Sequence, residues 1–167
     1  MAFTIETPLS TEKSGIYTSL LPQINSLIEG ENNLTANLAN ICAALKYSFE
    51  NFLWVGFYLR DIKISGELVL GPFQGRVACT RITIGKGVCG KAAAGNETVI
   101  VSNVDEFPGH IVCDPLSKSE IVVPVSKDGF VSAVLDIDSG NYSDFDETDR
   151  KYLEMLIKNI RHIFTYE

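Results

Sequence analysis

The sequence has few basic residues and no long hydrophobic run. Its 167 residues contain 14 lysines and arginines against 21 aspartates and glutamates, which gives a net charge of −7 at pH 7. Nucleic acid and anionic membrane surfaces attract basic proteins, so neither is an expected partner. No segment is long and apolar enough to span a bilayer, and the first residues do not form a basic stretch followed by an apolar one. We therefore expect a cytoplasmic or nucleocytoplasmic protein.

Repeats, linkers and the glycine spacings of nucleotide-binding loops are also missing. The run IGKGVCG (84–90) contains Gly85, Gly87 and Gly90, but it matches neither the dinucleotide fingerprint nor the P-loop. These glycines instead indicate tight turns or a close backbone approach. We expect one domain over residues 1–167 and no nucleotide-binding enzyme.

The four cysteines include no C-x-x-C pair. Cys42 follows Ile41 in a segment with helical periodicity and reads as a small core residue. Cys79, Cys89 and Cys113 lie in or beside predicted loops, among glycines, prolines and acids. Thiols in such surroundings, in a protein without a secretion signal, indicate redox chemistry or metal binding.

The sequence alone leaves two roles open for these cysteines, redox catalysis and metal binding. A reactive thiol needs a lowered pKa, which amide dipoles or the imidazole of His110 could provide, and a second thiol would convert its sulfenic acid to a disulfide. Alternatively, Cys79, Cys89, His110 and Cys113 could form a three-cysteine, one-histidine zinc site. The zinc reading is less favoured because the usual knuckle spacing is absent.

Hydrophobic periodicity predicts helices at both ends of the chain and strands between them. The predicted helices run from Ser10 to Gly30, from Leu34 to about Phe49, and onward from an N-cap at Asp146. The predicted strands are Phe52–Leu59, Glu67–Leu70, Thr98–Val101, Glu120–Val125 and Phe130–Asp138, with residues 71–119 mostly loop. This order predicts an α+β fold with antiparallel strands.

Two aromatic residues share one face of the first predicted strand. Trp54 and Tyr58 flank Gly56 on that face, because side chains alternate along a strand. Two aromatic rings with an empty position between them could form a wall against which a small ligand lies. The alternative is that both rings merely cap the sheet.

Two aspartates share one face of the last predicted strand. Asp136 and Asp138 repel each other, and burial would increase that cost. Either they lie at a solvent-exposed sheet edge, or they line a pocket that binds an ammonium group or keeps one acid protonated. Glu120, at the start of the neighbouring strand, would be a third acid. Clustering raises the pKa of at least one member, which gives a proton donor near neutral pH.

Several sequence blocks resemble one known family. GPFQG (71–75), ACTRITIGKGVCG (78–90), FPGHIVCD (107–114), SEIVVPV (119–125) and LDIDS (135–139) closely resemble the free methionine-(R)-sulfoxide reductases, and so does NFLWVGFYL (51–59). These reductases are small single-domain GAF proteins. The resemblance covers nearly the whole chain with its blocks in order. It implies a GAF-like α+β domain, with terminal helices on one face of a central antiparallel sheet and a long loop region over the ligand pocket.

The resemblance also implies a role for each candidate residue. Cys113 matches the family's nucleophile, Cys79 its resolving cysteine, and Cys89 an alternative resolving cysteine. The ligand pocket of the family corresponds to Trp54, Tyr58, Glu120, Asp136 and Asp138.

The implied reaction is reduction of free L-methionine-(R)-sulfoxide. The Cys113 thiolate attacks the sulfoxide sulfur, Glu120 or Asp138 protonates the oxygen, and Cys113 becomes a sulfenic acid. Cys79 or Cys89 then forms a disulfide that a thioredoxin-type reductant reopens. The family uses no cofactor besides its cysteines and leans towards homodimers. The competing hypothesis is a GAF sensor that binds a small molecule without turnover.

Overall fold

The computed structural model describes residues 4–6 and 10–164 as four α-helices and a six-stranded antiparallel sheet. The helices are α1 (Lys13–Ile28), α2 (Leu34–Ser48), α3 (Gly87–Gly95) and α4 (Glu147–Ile160). The strands are β1 (Phe52–Arg60), β2 (Glu67–Gln74), β3 (Arg81–Thr83), β4 (Val99–Val101), β5 (Ser119–Lys127) and β6 (Phe130–Ser139). Their order across the sheet is β3-β2-β1-β6-β5-β4. The predicted α+β class with an antiparallel sheet is confirmed.

The main core lies between one face of the sheet and helices α1, α2 and α4. Val55 and Phe57 of β1 and Leu135 and Ile137 of β6 point into it, as their alternation with polar or ligand-facing positions predicts. Cys42 is buried in this core, where loss of water contact raises the pKa of its thiol to about 12. It is the small core residue that the sequence indicated.

Helix α4 begins where its sequence signals place it. The Asp146 side chain accepts hydrogen bonds from the amides of Thr148 and Asp149, and the Asp149 carboxylate accepts one from the amide of Asp146. This reciprocal capping box satisfies amides that lack a partner in the first turn of a helix. Asp149 also accepts a hydrogen bond of 2.8 Å from the Tyr17 hydroxyl, which ties α4 to α1.

The opposite face of the sheet carries a smaller apolar cluster that includes α3. Within residues 71–119, which were predicted to be mostly loop, β4 matches the predicted strand Thr98–Val101, whereas β3 and α3 were not predicted. Helix α3 has the nine-residue sequence GVCGKAAAG, which is too short and glycine-rich to show helical periodicity. Cys89 therefore lies buried on a helix and not in a loop.

One strand boundary differs from the prediction, because β2 continues past Leu70 through Pro72 to Gln74. Helix α1 includes Pro22, as predicted, and spans Lys13–Ile28 within the predicted range of Ser10 to Gly30. A tight hairpin turn joins β5 and β6, with Asp128 and Gly129 both at positive φ. Among the described residues, no helix has the length and apolar character needed to cross a membrane.

Candidate active site

The register of three central strands aligns the predicted pocket residues. Asp138 of β6 pairs with Trp54 of β1 on one side and with Glu120 of β5 on the other. Asp136, two residues earlier on β6, projects from the same face. Because β6 lies in the interior of the sheet, the interpretation of these aspartates as a solvent-exposed edge is wrong. The acids belong to a pocket.

A cavity of about 40 Å³ lies against this face, below α3 and the loops. Seven of the eight candidate residues line it: Trp54, Tyr58, Cys89, Cys113, Glu120, Asp136 and Asp138. The eighth candidate, Cys79, is covalently bonded to one of the seven. Both rings of the aromatic pair thus face a cavity, which supports the wall interpretation over simple capping of the sheet.

Cys79 and Cys113 form a disulfide. They lie 34 residues apart in the chain, in the segments before β3 and before β5, and their Cα atoms are 5.4 Å apart. Both residues are half-buried, so the bond is at the rim of the cavity and not in the core. Two cysteines bridged beside a cavity lined by acids are suited to redox chemistry.

The aromatic wall also holds the segment that carries Cys79. The Tyr58 hydroxyl donates a hydrogen bond of 2.9 Å to the carbonyl of Cys79, and the indole N–H of Trp54 donates one of 3.1 Å to the carbonyl of Arg76. Buried tyrosine and tryptophan side chains generally need such partners. The two rings therefore form one side of the pocket and fix the backbone beside the disulfide.

The position between the two aromatic residues is not open space. A Cβ atom at Gly56 would lie 2.2 Å from the indole of Trp54, and one at Gly75 would lie 2.4 Å from it. The expectation of an empty position at Gly56 is therefore wrong. Glycine there lets the indole lie flat against the sheet, stacked on Phe73 with ring centroids 5.4 Å apart.

Burial sets the protonation of the three acids. Loss of hydration, followed by repulsion from Asp136 and Asp138, raises the pKa of Glu120 well above its ordinary value. Burial and then repulsion from Asp136 raise the pKa of Asp138 in the same way. Burial also raises the pKa of Asp136, to about 6, although polar contacts with Cys89 and Glu120 oppose this shift. The pocket therefore favours the protonated forms of Glu120 and Asp138, whereas Asp136, with a pKa of about 6, is an anion at pH 7.

Two groups beside the acids are uncharged at neutral pH. Burial, and then repulsion from Asp136, raise the pKa of Cys89, which keeps it a thiol. Burial lowers the pKa of His110, although Asp105 opposes the shift, and its Nε2 lies 3.9 Å from a carboxyl oxygen of Glu120. His110 is therefore a neutral imidazole and does not provide the positive charge that we expected to favour a thiolate.

The comparisons with known proteins agree on one family. The GAF domain family model matches residues 33–164. GAF domain-containing protein A of Dictyostelium discoideum is 58% identical over 142 residues, which are 85% of this chain and 88% of that protein. Free methionine-R-sulfoxide reductase of Saccharomyces cerevisiae is 44% identical over 153 residues, which are 89% of this chain and 85% of that one. This chain belongs to the GAF family, among the free methionine-R-sulfoxide reductases.

A solved structure leads to the same assignment. The free methionine-R-sulfoxide reductase of Neisseria meningitidis, solved in complex with its substrate, is 48% identical to this GAF protein. The two chains align with a TM-score of 0.93 over 98% of this chain and 96% of that one. The family resemblance and the fold that it implied are confirmed.

The zinc ligand set considered from the sequence is not assembled in this GAF protein. The sulfur atoms of Cys79 and Cys113 are bonded to each other. Among the described residues, the potential ligand atoms that converge are those of Cys89, Glu120 and Asp136, which lie within 4.8 Å of one another. Two carboxyl groups and one thiol are a different chemistry from the three cysteines and one histidine of the hypothesis.

Two polar residues of the GAF pocket were missed by the sequence analysis. Asp114 is buried, and its Oδ2 has no hydrogen-bond partner, although Arg76 Nε lies 3.7 Å away. Ser117 lines the cavity, and its contact with Asp138 opposes the rise in the pKa of that acid. The position of Asp114 directly after Cys113 was a usable signal. Nothing in the sequence distinguished Ser117 from a loop serine.

Proposed function

We propose that this GAF protein is an oxidoreductase that reduces free L-methionine-(R)-sulfoxide to L-methionine, with Cys113 as the nucleophile and Cys79 as the resolving cysteine. The disulfide between these residues carries the proposal, because it lies at a cavity whose sheet face presents three acids, Glu120, Asp136 and Asp138. A sensor that binds without turnover has no use for this pair of thiols. The named activity of the relatives supports the same reaction.

The chemistry begins from the reduced protein. The Cys113 thiolate attacks the sulfoxide sulfur while the oxygen takes a proton, and the hydroxyl group passes to the Cys113 sulfur. Methionine is released and Cys113 is left as a sulfenic acid. The Cys79 thiolate then attacks the Cys113 sulfur and forms the disulfide. The displaced hydroxide takes a proton and leaves as water, so two electrons pass from the two thiols to the substrate.

The proton comes from Glu120 or Asp138. Burial raises the pKa of both acids well above the ordinary value, which favours their protonated forms. A carboxylic acid that is protonated at working pH can act as a general acid when the sulfoxide oxygen becomes basic. Glu120 and Asp138 face each other across β5 and β6, so one substrate oxygen in the cavity can reach either of them.

The rest of the pocket selects the free amino acid. Asp136 is the anion of the cluster, and its buried Oδ1 has no hydrogen-bond partner, so it offers an acceptor to the ammonium group. Trp54 receives the S-methyl group, with Tyr58 beside it. A cavity enclosed by the sheet, α3 and the loops admits a free amino acid and excludes a methionine sulfoxide inside a polypeptide.

Recycling requires an external dithiol. We assign it to a thioredoxin-type reductant that reopens the Cys79–Cys113 bond, with no cofactor besides the cysteines. Cys89 is the alternative resolving cysteine, although its burial and raised pKa make it a poor thiolate. We further propose that the domain comprises residues 1–167, that the protein acts as a homodimer, and that the reaction takes place in the cytoplasm, where reduced thiols are maintained.

A single-turnover experiment tests the reaction. The fully reduced protein, which has four cysteines, is mixed with the R or the S epimer of free methionine sulfoxide in excess. Methionine is quantified, and thiols are counted after denaturation. We expect one methionine per chain with the R epimer only, and a fall from four thiols to two. Cys113→Ser should release no methionine. A reduced wild-type protein that releases none and keeps four thiols would refute the reductase and favour the sensor.

A further inference from the structure

Exposed apolar side chains are concentrated around the disulfide. Val77, Val112 and Leu116 are 87%, 63% and 49% exposed, and each lies within three residues of a bridging cysteine. They make up three of the nine large apolar side chains that are exposed in the part of the chain the structure describes. A single exposed valine or leucine is ordinary, but a group around one reactive bond needs an explanation. We call these three residues the disulfide rim.

The disulfide rim is confined to two chain segments that lie side by side. Two cross-links hold its two segments side by side: the Cys79–Cys113 bond, with Cα atoms 5.4 Å apart, and the Arg76–Asp114 ion pair at 3.7 Å. Chain length alone keeps each rim Cα within about 11 Å of a bridging cysteine, at 3.8 Å per residue. A transient protein interface of about 600 Å² per partner has a radius of about 14 Å, so one footprint covers the rim.

We propose that the disulfide rim is the docking surface for the dithiol protein that reopens the Cys79–Cys113 bond. This inference rests on the proposed function, because only a catalytic disulfide must be reopened in every cycle. To attack either sulfur, the partner's thiolate must come into bonding distance of a half-buried disulfide. The surface around that thiolate then has to lie against the rim. The rim therefore fits a reductant whose reactive cysteine is surrounded by apolar surface.

The exchange balances without any other reactant. The partner's thiolate attacks one sulfur of the disulfide, which forms a mixed disulfide and releases the other cysteine as a thiolate that takes a proton. The partner's second thiol then attacks its own sulfur in the mixed disulfide. The second cysteine of this chain is released as a thiol, and the partner leaves as an internal disulfide, oxidised by two electrons.

The test uses the oxidised protein without methionine sulfoxide, so its result does not depend on the reductase activity. Reduced thioredoxin or dithiothreitol is added, and the disulfide remaining is followed by acid quench, alkylation and mass measurement. The variant is Val112→Gln with Leu116→Gln. Val77 is left unchanged because it also lines the cavity. The control is Tyr47→Gln with Met155→Gln, exposed apolar residues on α2 and α4, the helices on the other side of the sheet.

We expect the rim variant to lower the second-order rate constant for thioredoxin about tenfold, which corresponds to the loss of part of two apolar contacts. Its rate with dithiothreitol should stay within about twofold of the wild type, since a small dithiol has no surface to dock. The control should match the wild type with both reductants. An unchanged thioredoxin rate overturns the proposal, as does an equal loss with both reductants. A change in molecular mass on light scattering also overturns it, because the rim would then be a contact between two copies of this chain.

Discussion

Replacing Asp136 by asparagine should make the protein relatively more stable as the pH rises. Most carboxyl groups would give the opposite result, because folding usually lowers their pKa, whereas it raises the pKa of Asp136. Burial raises the pKa of Asp136 from an ordinary value near 4 to about 6 in the folded chain. Between these two values the folded chain keeps a proton that the unfolded chain has lost. The free energy of unfolding therefore falls as the pH rises through this window. Two pKa units correspond to about 3 kcal/mol, and that cost is fully present at pH 7.

Asparagine at position 136 cannot ionise, so this cost disappears in Asp136→Asn. The difference in unfolding free energy, variant minus wild type, should rise by about 2 kcal/mol between pH 4 and pH 7, because the unfolded chain is already partly ionised at pH 4. A buried amide without partners adds a penalty of about 1–3 kcal/mol, but that penalty is the same at every pH. The slope of the difference against pH therefore reports the loss of the charge, including its repulsion of Glu120 and Asp138, whatever the absolute stability of the variant.

Urea denaturation of the disulfide-bonded protein at pH 4, 5, 6 and 7 provides the measurement. The control is Asp128→Asn, which removes an exposed carboxyl group in the β5–β6 turn and keeps a side chain that tolerates positive φ. The control should run parallel to the wild type. A difference for Asp136→Asn that does not change with pH would refute our account of the buried anion. Loss of the ammonium partner should also raise the KM for methionine sulfoxide by about 10- to 150-fold, the equivalent of a charged hydrogen bond.

Three other substitutions test separate parts of the mechanism. Glu120→Gln keeps the size of the side chain but removes the proton, so the rate of methionine release in a single turnover should fall by about 10²- to 10⁴-fold; an unchanged rate would leave Asp138 as the donor. Cys79→Ser should still release one methionine per chain, but Cys113 should accumulate as a sulfenic acid that reacts with dimedone, whereas Cys89→Ser should form the normal disulfide. If Cys89→Ser accumulates the sulfenic acid and Cys79→Ser does not, our order of the two resolving cysteines is reversed. Trp54→Phe lacks the N–H that donates a hydrogen bond to the carbonyl of Arg76. We expect this variant to release methionine in a normal burst but to form the disulfide more slowly. If methionine release and disulfide formation both proceed at the wild-type rates, this positioning role is contradicted.

The electrostatic state of the pocket could be partly foreseen. Asp136, Asp138 and Glu120 were predicted to share a face because side-chain alternation and strand adjacency are local properties. A pocket was the better explanation of the two aspartates, but their burial could not be deduced, because a pair of aspartates on a strand is also consistent with a solvent-exposed edge. The position of β6 in the interior of the sheet decided between the two, and that position depends on pairings between distant segments.

The short helix α3 shows where local signals fail. Nine residues with three glycines have little intrinsic helical preference, and tertiary contacts stabilise the helix. Gly90 lies so close to the carbonyl of Thr83 that a Cβ atom would be only 2.4 Å from it, so the glycines that weaken the helix also permit its packing. Sequence analysis could identify these glycines but could not show which backbone segment approaches them.

Local patterns in the amino-acid sequence were enough to predict the fold class, the terminal helices and most of the central strands, because periodicity and capping act within a few residues. The roles of the eight candidate residues came from the family resemblance. Which cysteines are bonded, which acids face the cavity and which segments border the disulfide depend on the tertiary structure. Cys79 and Cys113 are 34 residues apart, yet their Cα atoms lie 5.4 Å from each other. Hydration, repulsion and sulfur–sulfur contact depend on distances of a few ångströms between such segments, and folding alone sets those distances.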